Sequence, residues 1–157
     1  MGTPITPYDS GDAKKAQAAQ MFDNIAHRYD FLNHFFSLGI DKLWRRKAVR
    51  MLLSEGPSEV LDVATGTADF AIEAARKAPS LNVVGVDISA GMLDIGRKKV
   101  SRAGQDGRVE LVLGDGESLP FKDNRFDAFT VAFGVRNFEN LTAGLREMQR
   151  TLKPGGK

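Results

Sequence analysis

The stretch Glu59-Val-Leu-Asp-Val-Ala-Thr-Gly-Thr-Ala-Asp69 decides the fold. Glu59–Ala64 is a short apolar run that reads as a strand, Thr65-Gly66-Thr67 as the turn after it, and Ala71–Lys77 as a helix. Gly66 lets the backbone turn tightly and come close to a ligand. The helix that follows offers free N–H groups at its start.

Outward from this unit, strand and helix keep alternating. Leu81–Val86 reads as a second buried strand and Ala90–Ala103 as a second helix. Val109–Leu113 is a third strand, and Phe126–Phe133 a fourth that ends at Gly134. Asn140–Leu152 is amphipathic, with Leu141, Leu145, Met148 and Leu152 expected on one face, and Lys153-Pro-Gly-Gly156 stops it. Upstream, residues 12–54 read as helical. Ala13–Met21 is rich in Ala, Lys and Gln, and Phe22, Ile25, Ala26 and Tyr29 follow at helical spacing. Asp41 is the expected N-cap of Lys42–Leu53, and Gly56-Pro57 ends that segment. Strands alternating with helices imply βαβ units, hence an α/β fold with a parallel, Rossmann-like open sheet.

The 157 residues suit one domain with a real core; 42% are hydrophobic and 27% charged. A net charge of +2 excludes an acidic disordered tail and a strongly basic nucleic-acid arm. There is no cysteine, so no disulfide and no thiolate chemistry. With two histidines, His27 and His34, a metal site is not expected. No signal peptide and no membrane-spanning run is read, so a cytoplasmic chain is expected.

In open sheets of this kind ligands bind beyond the carboxyl ends of the strands. After the first strand only Gly66 is present, so neither the dinucleotide fingerprint nor the triphosphate loop is matched. After the second strand comes Asp87, about 20 residues beyond Gly66, the interval at which an acid meets ribose hydroxyls. An N-cap for the next helix is the alternative. After the third strand comes Gly114-Asp115-Gly116-Glu117: Asp115 can accept from an amino group, and a backbone N–H of Gly116 or Glu117 can donate to a ring nitrogen. Met92 and Leu93 can wall a base.

Together these residues resemble the S-adenosylmethionine-dependent methyltransferases. Three stretches narrow the resemblance: Met21-Phe-Asp-Asn-Ile-Ala-His-Arg-Tyr-Asp-Phe-Leu-Asn33, Ser37-Leu-Gly-Ile-Asp-Lys-Leu-Trp-Arg45 and Phe133-Gly-Val-Arg-Asn-Phe138. They look like the ubiquinone/menaquinone biosynthesis C-methyltransferases (UbiE/MenG), over residues 13–157. The resemblance implies a class I methyltransferase sheet in the order 3-2-1-4, with a fifth strand beside the fourth. It divides the chain into a flexible N-terminus (1–12), a helical lid (13–56) and an S-adenosylmethionine-binding core (57–157). Thr67, Asp87, Asp115 and Gly116 are the implied donor contacts, with Asp62, Gly66 and Met92 completing the set. Ala68 replaces a glycine common in the family, which should tighten the helix start. Ala132 replaces a serine near the donor. The family continues beyond Lys-Pro-Gly-Gly, so the chain reads as shortened, its C-terminal strands missing. The fourth-strand edge is therefore expected to be open to self-association.

The implied reaction is methylation of a ring carbon of a polyprenyl hydroquinone. Such a carbon becomes nucleophilic when a neighbouring hydroxyl is deprotonated, and a phenol with a pKa of about 10 needs help at neutral pH. Arg136 can stabilise the phenolate and Asn137 can orient an oxygen. Tyr29, with Asp30, can complete a proton relay. Phe31, Leu32, Phe35, Phe36 and Leu38 either line a groove for the isoprenoid tail or form the core of the helices. Arg45, Arg46, Lys47 and Arg50 either meet anionic headgroups, in transient contact with the inner face of the membrane, or are a solvated face. The alternatives are a different small-molecule acceptor or a donor-binding fragment without turnover. Nucleic acid is not an expected partner.

Overall fold

The computed structural model describes residues 14–37, 40–132 and 134–157, with the side chains of 29–37 outside the description. The helical N-terminal region is two helices, α1 (Lys14–Ser37) and α2 (Ile40–Leu53). The strands and helices β1 (Glu59–Val63), α3 (Asp69–Lys77), β2 (Asn82–Asp87), α4 (Ala90–Arg102), β3 (Val109–Leu113) and β4 (Ala128–Val131) follow, then a 3₁₀ turn (Gly134–Asn137) and α5 (Leu141–Thr151). All strand pairs are parallel, and the order is β3-β2-β1-β4, as expected.

Alternation along the strands splits the core in two. Val60, Val83, Val109 and Ala128 face α3, whose Ala71, Ala74 and Ala75 allow close approach, and Val49 of α2 joins them. Leu61, Val63, Val84 and Val86 face the other way, onto Met148 of α5, Leu119 and Phe126. Helices therefore cover both faces, as an all-parallel sheet requires. α1 packs on α4 and reaches the 3₁₀ turn above the carboxyl ends of the strands.

Several expectations change. Asp41 lies inside the first turn of α2 rather than at its N-cap, where its carboxylate accepts from Arg45 Nη2 at 2.9 Å. α3 begins at Asp69, two residues earlier than read, because Ala68 adopts φ +67° and turns the chain into the helix. Ala68 thus sits in a left-handed conformation that a glycine would adopt without strain, rather than tightening the helix. The N-cap of α4 is Ser89, whose Oγ accepts from Met92 N, so Asp87 does not fill that role. On α5 the buried residues are Gly144, Met148 and Thr151, while Leu141 and Leu145 are exposed. The fourth strand is shorter than read: Phe126 lies outside it, bridging Leu152. Its outer edge is partly covered, since Lys153 N donates to Phe126 O (2.9 Å), Lys157 N to Asp127 O (3.2 Å) and Phe129 N to Lys157 O (2.8 Å).

Candidate functional site

At the carboxyl ends of the strands lies a cavity of about 840 Å³, large enough for a nucleoside-bearing ligand together with part of a second molecule. Gly66, Thr67, Asp87, Met92, Asp115, Gly116, Arg136 and Asn137 all line it. The two N-terminal helices line it with Met21, Phe22 and Ile25 from α1 and Trp44 and Arg45 from α2. Asp62 does not line the cavity, and Leu93 is buried outside it. The side chains of Tyr29, Asp30, Phe31, Leu32, His34, Phe35 and Phe36, and residue Leu38, lie outside the described residues.

The glycine loop is shaped from beneath. Asp62 accepts from Thr65 Oγ1 and from Thr130 Oγ1, each at 2.7 Å. Thr65 reaches it by lying over Gly85, where a Cβ would stand 2.8 Å from the threonine side chain. Burial raises the Asp62 pKa to about 6, with Asp87 nearby adding to the rise and the two hydroxyls opposing it. Gly66 has φ +58°, and no atom lies within 4 Å of where its Cβ would be, so the turn leaves open space there.

Asp87 is buried at the end of β2. Its carboxylate accepts from Gly66 N (2.8 Å) and Ser89 N (2.9 Å), which ties the first loop to the second. Burial is the main cause that pushes its pKa up, against those N–H groups. Asp115 accepts from Glu117 N at 2.9 Å and from Lys15 Nζ of α1 at 2.6 Å, and Lys15 also meets Glu117 at 3.2 Å. The Lys15 pKa is raised, chiefly by its hydrogen bond to Asp115.

Other side chains at the site carried no assigned role in the sequence. Lys99 of α4 donates to Thr67 Oγ1 (3.0 Å) and pairs with Asp69 (2.5 Å). Asp69 also faces Arg45 at 3.8 Å. Asp23 of α1 accepts from Ser89 Oγ (2.5 Å) and Gly91 N (2.9 Å), docking α1 on the start of α4. Gly134 packs so tightly on Ala64 that a Cβ there would collide with the alanine methyl.

This fold is that of the class I S-adenosylmethionine-dependent methyltransferases. A methyltransferase of that type described as putative, from Methanococcus maripaludis, superposes with a TM-score of 0.71 over 95% of this chain and 64% of its own, at 21% identity. The cyclase SpnF superposes at 0.76 over 92% of this chain and 58% of its own, at 24% identity. Such likenesses show the fold alone. The sequence goes further: residues 10–157 match the ubiE/COQ5 methyltransferase family, and the chain belongs to it. It is 53% identical to a demethylmenaquinone methyltransferase of Bacteroides fragilis over 97% of this chain and 62% of that protein. It is 45% identical to a ubiquinone/menaquinone biosynthesis C-methyltransferase UbiE of Geotalea daltonii, over 92% of this chain and 62% of that protein. The chain thus spans a little under two thirds of the length of these relatives.

Proposed function

We propose that this chain uses S-adenosyl-L-methionine to methylate a ring carbon of a polyprenyl hydroquinone, of the demethylmenaquinol or ubiquinone-precursor type. The observation that carries the reading is one cavity lined by two unlike sets of residues. Gly66, Asp87, Met92, Asp115 and Gly116 come from the loops after the first three strands, and Arg136 and Asn137 come from the turn after β4, with apolar side chains of the N-terminal helices beside them. The names of the relatives, demethylmenaquinone methyltransferase and UbiE, support the acceptor class.

The residues fit the donor. Asp87 offers a carboxylate, 8% exposed, suited to a ribose diol, and the open side of Gly66 admits close backbone approach. Met92 offers an apolar wall, and Asp115 with Gly116 offers an acceptor beside a backbone N–H. When bound, S-adenosylmethionine supplies a methyl group on a sulfonium, already electrophilic. The chain's own task is then alignment and activation of the acceptor. Arg136 stabilises the oxygen that develops negative charge, and Asn137 orients it. Met21, Phe22 and Trp44 form the apolar wall against which the ring and the start of its tail are held.

The test is incubation of the chain with methyl-labelled donor and demethylmenaquinol, with calorimetric titration of the donor alongside. Label in the extracted quinone is expected. Donor binding without labelled quinol overturns the acceptor, and absence of donor binding overturns the whole reading.

A further inference from the structure

Asp23 of α1 does not line the cavity, yet one residue links it to a carboxylate that does. That residue is Ser89, fully buried at the start of α4. Its Oγ donates to Asp23 Oδ1 (2.5 Å) and accepts from Met92 N (3.1 Å), and its backbone N–H donates to Asp87 Oδ1 (2.9 Å). Asp23 Oδ1 takes a second donor, Gly91 N at 2.9 Å. The first N–H groups of a helix have no partner inside it. Here Ser89 serves one of them, and α1 serves another from 68 positions away. A serine hydroxyl rotates to suit its neighbours. With its proton on Asp23, its lone pair is left for Met92 N, so Ser89 is held at side chain and backbone together. Asp87 is held at its other oxygen by Gly66 N at 2.8 Å. Hydrogen bonds thus run without a break from α1, through the start of α4 and the acid that ends β2, to the glycine loop.

We infer that Asp23 is a positioning residue for donor binding, acting through Ser89 to hold the Asp87 carboxylate where it meets the ribose of the donor. The inference rests on the proposed function, which gives Asp87 that contact. Hydrogen bonds in one network polarise one another, so losing the Asp23 acceptor weakens the hold of Ser89 on Asp87. A carboxylate already set in place spends less of the donor's binding energy on ordering. The negative charge of Asp23 is not what the relay needs. Both donors fall on a single oxygen, and asparagine carries an oxygen at that position too. If Asp23 only fastened α1 to α4, its loss would be independent of Asp87; a positioning role makes the two interdependent.

The test is calorimetric titration of S-adenosylmethionine into the parent chain and its variants. Asp23→Ala should weaken donor binding about tenfold, within the range for residues that share one hydrogen-bond network. Asp23→Asn should bind within about twofold of the parent, because it keeps the acceptor oxygen. In an Asp87→Ala background, Asp23→Ala should add less than about twofold, since the group it positions is gone. Asp23 is exposed and alanine is the stronger helix former, so circular dichroism should show the fold intact. Linkage supplies a check that needs no variant. If docking of α1 favours the donor, the donor favours docking, and saturating the parent chain with it should slow hydrogen exchange at the Gly91 amide. An alanine variant that binds like the parent, an asparagine variant as weak as the alanine one, the same loss with Asp87 removed, or unchanged exchange at Gly91 would each overturn the inference. A parent chain that binds no donor, or an Asp87→Ala variant that binds it equally well, would instead strike the proposed function.

Discussion

Thr130 Oγ1 donates to Asp62 Oδ1 at 2.7 Å across paired strands, the two Cα atoms being partners in the β1–β4 register. The same carboxylate takes the Thr65 hydroxyl, so one buried acid joins the glycine loop to β4. No cation pairs with it among the described residues. Its folded pKa of about 6 stands above the unfolded value near 3.8, mainly through burial.

That sign gives the first prediction. A group whose folded pKa is raised stabilises the fold while protonated and loses that contribution as pH rises through the folded value. Between pH 4 and 6, ionising Asp62 should cost on the order of 3 kcal/mol. Asp127 titrates outside this window, since Lys153 and Ser58 hold it well below the ordinary range. Asp62→Asn can still serve both threonines, because a hydroxyl donates to its oxygen and accepts from its amide. Urea midpoints should therefore fall from pH 4.5 to 7.5 in the parent chain and fall less in the variant, where Asp87, also raised by burial, still titrates. Identical slopes would show that Asp62 is ionised throughout.

Gly134→Ala is the second. Its methyl would collide with Ala64, itself held at φ +56°, so neither backbone can give way freely. Overpacking of this kind costs about 1–3 kcal/mol, and for a chain of this size about 1 kcal/mol lowers the melting temperature by about 2–4 °C. Gly107→Ala, where no atom lies within 4 Å, serves as the control in the same thermal scan. Equal melting temperatures for the two variants would remove the close approach as the reason for glycine at 134.

Strand order, Asp87 and the Gly114-Asp115-Gly116 turn were legible because a parallel sheet puts chemistry at strand ends, and strand ends can be counted from the hydrophobic runs. Partners from distant segments were not. Lys99 meets Thr67 from 32 positions away, and Asp23 meets Ser89 from 66; periodicity carries no information about either pair. Asp23 lies in one of the three quoted family stretches, yet its role in docking α1 on α4 emerges only when the helices are in place. The α5 face was misread for a related reason. Leu141 and Leu145 share spacing with Met148, but the sheet meets the helix on the side of Gly144 and Thr151.

Asp87 supports a third prediction, with a control built from its geometry. Asp87→Ala removes both a diol acceptor and the brace on Gly66 and Ser89, so donor affinity should fall by about 1.5–3 kcal/mol, the value of hydrogen bonds to a charged group. Asp87→Asn keeps one backbone acceptor and the side-chain volume while losing the charge. Its donor affinity should lie between parent and alanine variant by calorimetry. An asparagine variant that binds like the parent would mean the carboxylate serves the loop and not the ribose.

Arg136 separates chemistry from binding. It sits on the 3₁₀ turn after β4, exposed to the cavity beside Asn137, whereas Asp87 and Asp115 occupy the ends of β2 and β3. β1 lies between β4 and β2, so the turn that carries Arg136 follows a strand that does not pair with the one ending at Asp87. A cation there stabilises charge on an acceptor oxygen only as that charge develops, which lowers the barrier without tightening the donor. Arg136→Ala should therefore reduce kcat on demethylmenaquinol about a hundredfold, the scale of losing one donor to a developing oxyanion. Donor Kd should stay within about threefold, as for an interaction made mainly in the transition state. Arg136→Lys keeps the charge but not the planar fork and should recover part of the rate. If the alanine variant keeps its rate and instead loses the donor, Arg136 belongs with the donor contacts and the acceptor is activated by another group.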